Sequence, residues 1–160
     1  MFKERRINLV ESLNPGSAII LYGARIQYRN ADSAYAFRQD SNFWYLSGFN
    51  EADSVMLIMK DIEQQITSMI FVPPKDKTKE IWDGYRSGPD GAIKDFGFDE
   101  AYENSKLEEL MPQLLVGLHQ VYHLIGKNQR FDQQIIQFIK SAQTKDCLLY
   151  TSPSPRDATL

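Results

Sequence analysis

The residue types that could bind a metal ion are few in this chain of 160 residues, and its two histidines, His119 and His123, lie four residues apart. On a helix, this spacing can place two ligands on one metal ion. On a strand, the same two side chains lie about 13 Å apart, which is too far for a shared ion. Because residues 119–125 are rich in strand-forming side chains between two glycines, we expect a structural role for both histidines and no metal site.

The other candidate groups form no catalytic set. The single cysteine, Cys147, lies in an atypical terminal segment, no serine occupies a Gly-x-Ser-x-Gly turn, and no glycine-rich phosphate loop is present. The carboxylates fall mostly at predicted helix ends and on polar faces, where solvated charge is their usual role: Asp95, Asp99, Glu100, Glu103, Glu108 and Glu109. The residues alone therefore predict no catalytic residue in this chain.

Composition and charge exclude several classes of protein. A formal net charge of −3 gives no electrostatic surface for nucleic acid or an anionic membrane. No apolar run is long enough to cross a bilayer, and the charged residues 1–6 are unlike a signal peptide. One cysteine cannot form an internal disulfide and fits a reducing compartment. We therefore expect a cytoplasmic protein with one domain.

The first half of the chain predicts one helix and three strands. Apolar residues recur at helical spacing over residues 2–13, and a continuous apolar run at residues 17–22 is typical of a strand buried on both faces. Residues 54–60 and 66–72 are separated by a short polar link, which predicts an antiparallel hairpin. A charged loop is expected from Pro73 to Lys79, and a further break at residues 87–91.

The second half predicts a helix, a strand and a final helix. Ser105 and Glu108 have capping-box spacing ahead of an apolar stripe at residues 107–115, in which Pro112 should remove one hydrogen bond and kink the helix. Residues 119–125 should form a strand, and Asn128 should cap the last helix. Together these elements predict an α/β fold, a single domain with a mixed β-sheet flanked by helices.

The segment from Arg38 to Asn50 places three consecutive aromatic residues beside several hydrogen-bonding groups. One interpretation is a pocket of rings and polar side chains. The other is an ion-paired, capped turn that holds an aromatic strand in place, because Arg38 and Asp40 would be costly to bury unpaired beside Trp44. The second interpretation assigns a structural role to these residues: Arg38, Asp40, Ser41, Phe43, Trp44, Tyr45 and Gly48.

A second unusual segment, Glu80 to Arg86, places Trp82 and Tyr85 in a region that reads as a loop. A tryptophan on a loop is often an anchor for a partner or a ligand. Packing of the ring onto its own domain is the alternative.

The last fourteen residues, 147–160, differ from the rest of the chain. They have no helical or strand period, and two Ser-Pro pairs disfavour both structures. They also resemble translated adapter sequence from sequencing assemblies. We therefore expect residues 1–146 to be the domain and residues 147–160 to be a foreign, disordered tail.

Several of these segments together resemble the N-terminal domain of bacterial aminopeptidase P, a creatinase-type family. The likeness covers nearly all of residues 1–146 and lies mainly in residues 29–33, 35–41, 43–51 and 80–82, with supporting residues at 5–18 and 121–123. It implies that a pita-bread catalytic domain follows, which binds two manganese ions and releases the residue preceding an N-terminal proline. None of its ligands (two aspartates, one histidine, two glutamates) can be placed in this sequence, so the fragment itself is expected to be inactive.

The resemblance also implies a role for Trp82, the one residue carried over as a substrate contact. In tetrameric relatives, the tryptophan of this Glu-Ile-Trp motif reaches the active site of a neighbouring subunit. The expected partners are peptides with proline in the second position, the chain's own catalytic domain and further copies of the protein, as a dimer or a tetramer. The alternative is a creatinase-like binding module without hydrolytic activity, as in histone chaperones.

Overall fold

The computed structural model describes residues 1–151, although the side chains of Asp83 and of residues 147–151 lie outside that description. The helices are α1 (Phe2–Glu11), α2 (Ser41–Ser47), α3 (Lys77–Asp83), α4 (Gly88–Phe96), α5 (Leu107–Leu115) and α6 (Gln129–Thr151). The strands are β1 (Ser17–Tyr22), β2 (Tyr28–Asn30), β3 (Ser33–Ala34), β4 (Val55–Lys60), β5 (Ile66–Val72), β6 (Glu100–Glu103) and β7 (Gln120–His123).

Five strands form one mixed sheet in the order β6-β5-β4-β1-β7. Strand β4 pairs antiparallel with both β1 and β5, whereas β1 pairs parallel with β7 and β5 pairs parallel with β6. The predicted hairpin of β4 and β5 and the mixed sheet are both confirmed. The strands β2 and β3 form a separate small hairpin that the sequence did not predict.

Helices cover both faces of the large sheet. Alternate residues of β1 point to opposite sides: Ile19 and Leu21 pack in one apolar cluster, while Ala18 and Ile20 pack in the other. The first cluster also contains Val10, Phe43, Leu46, Phe49, Ala92 and Phe98, from α1, α2, α4 and nearby loops. The second contains Leu107, Met111, Leu115, Ile135, Phe138 and Ala142, from α5 and α6. Burial on both faces explains why β1 reads as a continuous apolar run.

The segment around Phe43 is a helix, so the prediction of an aromatic strand is wrong. Asp40 precedes α2, and its side chain accepts the backbone N–H of Phe43 at 3.0 Å. Gly48 ends the helix in the left-handed region with φ 69°. Phe43, Leu46 and Ser47 lie at helical spacing and are buried. The two helix ends and this spacing outweigh the preference of aromatic residues for strands.

Two other predictions near helix starts are also wrong. Residues 87–91, expected to be a break, open α4, with Pro89 in the first turn, where its missing N–H costs no hydrogen bond. The capping box of Ser105 and Glu108 does not form, because a 3₁₀ turn at Asn104–Lys106 leads into α5 and no side chain caps it. Pro112 lies inside α5, as expected.

The last helix begins as the sequence predicts and continues further. The Asn128 side chain accepts the backbone N–H groups of Arg130 and Phe131 at 3.0 and 3.4 Å. Helix α6 then runs to Thr151, so residues 147–151 are helical, where an irregular segment was expected. Residues 152–160 of the expected foreign tail lie outside the described residues. Within residues 1–151, no helix has the length and apolar character needed to cross a membrane.

Candidate functional site

Helix α3 presents large apolar side chains to solvent. Trp82 is 85% exposed, Ile81 78% and Tyr85, just after the helix, 70%. The expected loop is therefore a helix here, because Asp76 caps it by accepting the backbone N–H groups of Thr78 and Lys79 at 2.9 and 3.3 Å. Trp82 therefore does not pack onto its own domain in this structure, and that alternative is wrong. An exposed indole beside other apolar groups is typical of a contact surface.

The loop after α3 is held by two carboxylates. The side chain of Glu80 accepts the backbone N–H of Arg86 at 2.8 Å, and that of Glu51 accepts the backbone N–H of Ser87 at 3.0 Å. Gly84 has φ 92°, a backbone conformation that favours glycine. The Lys75 ammonium also lies 5.0 Å from the centre of the Tyr85 ring. The path of the chain around Trp82 is therefore fixed mainly by polar contacts.

The Arg38–Asn50 segment is a structural unit around α2, but its ion pair differs from the expected one. Asp40 pairs with Lys127 at 2.7 Å, at the start of the chain segment that leads into α6. Arg38 is exposed and makes no ion pair or side-chain hydrogen bond with another residue of the described part of the chain. Burial acts to raise the pKa of Asp40, but the hydrogen bonds from Lys127 and Phe43 outweigh it and lower that pKa.

The remaining motif residues anchor α2 to α1. Phe43 is fully buried, and the half-exposed Trp44 contacts the Phe2 ring edge to face, with centroids 5.8 Å apart. The Arg5 guanidinium lies 4.3 Å from the centre of the Tyr45 ring. A side chain at Gly48 would collide with Phe2. Ser41 is the first residue of α2.

A cleft of about 660 Å³ lies beside this segment and brings some of the sequence-predicted residues together. Arg38, Asp40 and Ser41 line it, together with His123 and Lys127. Trp82 does not line this cleft. The two motifs that carry the family likeness, around α2 and around Trp82, therefore lie at two separate positions on the domain.

The histidines have structural contacts. His123 is on β7, and its Nε2 lies 3.0 Å from an oxygen of Asp132, whose other oxygen accepts the backbone N–H of Gly126 at 3.0 Å. That backbone hydrogen bond is the main cause of a lowered pKa of Asp132, and His123 adds to it. The His119 ring packs against Gly16, where a Cβ would lie 2.7 Å from Cδ2. Among the side chains that the structure describes, no three of His, Cys, Asp or Glu are grouped so that they could hold a metal ion.

Residues 2–122 match the family model of the aminopeptidase P N-terminal domain. The chain belongs to this family. It is 42% identical over 126 residues to the Xaa-Pro aminopeptidase of Escherichia coli K12, an alignment that covers 79% of this chain and 29% of that protein. The Xaa-Pro aminopeptidase of Haemophilus influenzae is 38% identical over 123 residues, covering 77% of this chain and 28% of that protein.

The fold matches solved structures of the same family. Zinc-substituted E. coli aminopeptidase P in complex with product superposes with a TM-score of 0.83 at 39% sequence identity, covering 87% of this chain and 32% of that chain. The α/β fold with a mixed sheet is therefore that of the aminopeptidase P N-terminal domain. The chain spans less than a third of the length of these relatives.

The sequence alone did not identify three residues of these sites. Lys127 lies 87 positions from its partner Asp40, and Glu51 lies 36 positions from Ser87. Glu80 lies only six positions from Arg86, but the sequence predicts a loop here and gives no reason to expect this contact. A capping aspartate at position 76, eight positions before Gly84, is the one local signal that could have predicted α3.

Proposed function

We propose that this chain is the non-catalytic N-terminal domain of a cytoplasmic Xaa-Pro aminopeptidase. The full protein would be a manganese-dependent hydrolase that releases the residue preceding proline from the N-terminus of peptides. The supporting observation is the match of residues 2–122 to the aminopeptidase P N-terminal domain, together with 42% identity to a bacterial Xaa-Pro aminopeptidase. The chain covers 29% of that relative, which leaves room for a catalytic domain.

The described residues do not fit a site for two manganese ions. Such a site needs several carboxylate and imidazole ligands within about 2 Å of each ion. His123 is held by Asp132, and the described side chains include no suitable group of three ligands. We propose that the metal site lies in the catalytic domain, and we assign no catalytic step to this chain.

The work of this domain would be oligomerisation and control of access to the catalytic cleft. A tryptophan side chain buries about 150–250 Å² when it is covered, which at about 25 cal/mol per Å² favours a contact that the isolated domain does not make. Trp82, with Ile81 and Tyr85, provides such a surface. We propose that Trp82 contacts the catalytic cleft of a neighbouring subunit in a dimer or a tetramer and helps to shape the substrate pocket.

The first test separates this domain from a complete enzyme. The purified 160-residue chain, supplied with manganese and a peptide carrying proline in the second position, should show no hydrolysis. Measurable turnover would overturn the assignment as a non-catalytic domain. A downstream reading frame that encodes two aspartates, one histidine and two glutamates as ligands supports the proposal, whereas a continuation without them favours a creatinase-like binding module.

The second test concerns Trp82 in the complete enzyme. Trp82→Ala should lower kcat/KM for an Xaa-Pro peptide by about 10- to 100-fold, since contacts by buried tryptophans are commonly worth about 2 kcal/mol or more. Metal content, measured by elemental analysis, should stay unchanged. The matched control is Tyr28→Ala, which removes an aromatic ring that is 69% exposed on a different part of the domain. Unchanged turnover by the Trp82 variant would remove this residue from the site.

A further inference from the structure

We propose that Glu51 and Glu80 are positioning residues that hold α3, and with it Trp82, in a fixed orientation. They act through the backbone of the loop between α3 and α4. The inference rests on the proposed contact of Trp82 with a substrate pocket for its functional meaning, but the positioning itself is a property of this chain.

Apolar packing does not hold α3. Among its residues with a described side chain, Glu80 alone is half-buried, and the rest are exposed. Helix α2, of the same length, buries three side chains instead. A seven-residue helix without buried apolar groups gains little stability from its own hydrogen bonds, so its direction depends on how its ends are tied.

Two carboxylates tie the C-terminal end of α3 to the domain. Glu80 closes the helix end by accepting the backbone N–H of Arg86 at 2.8 Å. One residue further on, Glu51 accepts the backbone N–H of Ser87 at 3.0 Å. Ser87 is buried and leads directly into α4, whose Ala92 lies in the core. The loop is therefore fixed at two consecutive amides.

Glu51 is itself fixed by the Arg38–Asn50 segment that precedes it. The side chain of the buried Gln39 donates hydrogen bonds to the backbone oxygens of Phe49 and Glu51 at 3.0 and 3.1 Å. A continuous path thus runs from Gln39 through Glu51 to Ser87 and the loop after Trp82. This path physically connects the two motifs that carry the family likeness, although they form separate sites.

The second oxygen of Glu51 supports this assignment. Its Oε1 is buried and has no hydrogen-bond partner, while Oε2 accepts the Ser87 amide. Among the described residues, the Ser87 N–H is the one hydrogen-bond donor to the Glu51 side chain. Glu51 keeps this contact although its other oxygen is buried and unpaired, which is unfavourable. The Glu51→Gln variant can present its amide oxygen to the same N–H. It therefore should preserve the tether, whereas Glu51→Ala removes it.

Amide hydrogen exchange of the 160-residue chain tests the positioning directly. In Glu51→Ala we expect the amides of Ser87 and Gly84 to exchange about 10-fold faster or more, because their structure opens locally. The core amide of Ile20 reports any loss of global stability and should change less. Glu51→Gln should keep the exchange of these amides as slow as in the parent chain. As a control, Glu63→Ala removes an exposed carboxylate in the β4–β5 turn and should leave the exchange rates of all these amides unchanged. Unchanged Ser87 exchange in Glu51→Ala would overturn the proposal, as would an equal acceleration at Ile20.

A double-mutant cycle in the complete enzyme tests whether Glu51 acts through Trp82. Glu51→Ala should lower kcat/KM by about 10-fold, because small displacements of a pocket residue are costly. In a Trp82→Ala background the same change should lower kcat/KM by less than about 2-fold, since the positioned side chain is already absent. If Glu51→Ala lowers kcat/KM by the same factor with and without Trp82, Glu51 does not act through Trp82. If Trp82→Ala alone has no effect, the proposed function of Trp82 fails, while hydrogen exchange still decides the positioning.

Discussion

Helices α2 and α3 have the same length and similar ends but opposite surroundings. Each has seven residues, and each follows an aspartate whose side chain accepts backbone N–H groups of the first turn. Each ends at a glycine with positive φ, Gly48 in α2 and Gly84 in α3. Nevertheless Phe43 of α2 is fully buried, whereas Trp82 of α3 is 85% exposed. Local capping therefore explains why both helices form, but not what they do.

The spacing of apolar residues accounts for the difference. In α2, Phe43, Leu46 and Ser47 lie on one face, which packs toward the core, and this leaves Trp44 and Tyr45 partly exposed on the other. In α3, Ile81 and Trp82 are neighbours with no apolar partner three or four residues away on the helix. We conclude that α2 contributes to the stability of the domain, and we propose that α3 provides a surface for contacts outside it.

The largest expected difference is between Phe43→Ala and Trp82→Ala. Removing the buried Phe43 ring leaves a cavity in the core and should lower the free energy of unfolding by about 3–5 kcal/mol. Removing the exposed Trp82 ring should change it by less than about 0.5 kcal/mol. Urea unfolding followed by circular dichroism measures both values without relying on tryptophan fluorescence. Equal losses would mean that α3 is packed in solution and would remove the contrast between the helices.

The second prediction concerns Arg6, whose side chain bonds directly to α2, whereas Glu51 holds α3 only through the loop that follows it. This buried guanidinium donates to the backbone oxygens of Leu46, Phe96 and Gly97 at 2.9, 3.0 and 2.8 Å, so it satisfies the ends of α2 and α4 together. Burial lowers the pKa of Arg6 to about 10, against the opposing effect of Asp99, so it remains charged at neutral pH. Arg6→Met should cost about 2–4 kcal/mol, because three acceptors lose their donor.

The neighbouring Arg5 is the control for this experiment. It also donates to α2, at the backbone oxygen of Tyr45, but that contact is exposed. Arg5→Met should therefore cost less than about 1 kcal/mol. If both substitutions lower the free energy of unfolding by the same amount in urea, the burial of Arg6 does not account for its stabilisation of α2.

The sequence predicted the sheet better than these helices, for a physical reason. Residues 17–22 form a continuous apolar run, and residues 66–72 are mostly apolar and β-branched or aromatic, which leaves few alternatives to a buried strand. Three consecutive aromatic residues in α2 favour a strand by propensity, so the prediction there was wrong. The signals that decide the outcome are Asp40, which caps the helix start, and Gly48, which ends the helix, but both residue types are equally typical of a turn.

The candidate site was predictable in part. Trp82 was identified from the resemblance, because the Glu-Ile-Trp motif is a property of local sequence. Its exposure and its tether could not be predicted, since they depend on how distant segments meet. The contact of Glu51 with Ser87 joins residues 36 positions apart, and that of Asp40 with Lys127 joins residues 87 positions apart. Such pairs are set by the fold as a whole.

The smallest predicted effect concerns the ion pair of Asp40 and Lys127, which ties the N-terminal end of α2 to the start of α6. Asparagine caps helices about as well as aspartate, so Asp40→Asn keeps the cap and removes only the charge. At neutral pH it should cost about 0.2–1 kcal/mol, the range of partly exposed ion pairs. Lys127→Met should cost a similar amount, and the double variant should lose little more than either single one.

This stabilisation should also depend on pH with a definite sign. The pKa of Asp40 is lower in the folded chain than the value of about 3.9 expected when unfolded, so the unfolded state binds the proton first as pH falls. The stabilisation by Asp40 is thus complete above about pH 5 and is lost as pH falls through the folded pKa. Urea unfolding from pH 7 down to about pH 3 should show the difference between the parent chain and Asp40→Asn shrinking toward zero. A difference that stays constant over this range would show that the carboxylate charge does not stabilise α2, and that Asp40 contributes to this helix through its cap alone.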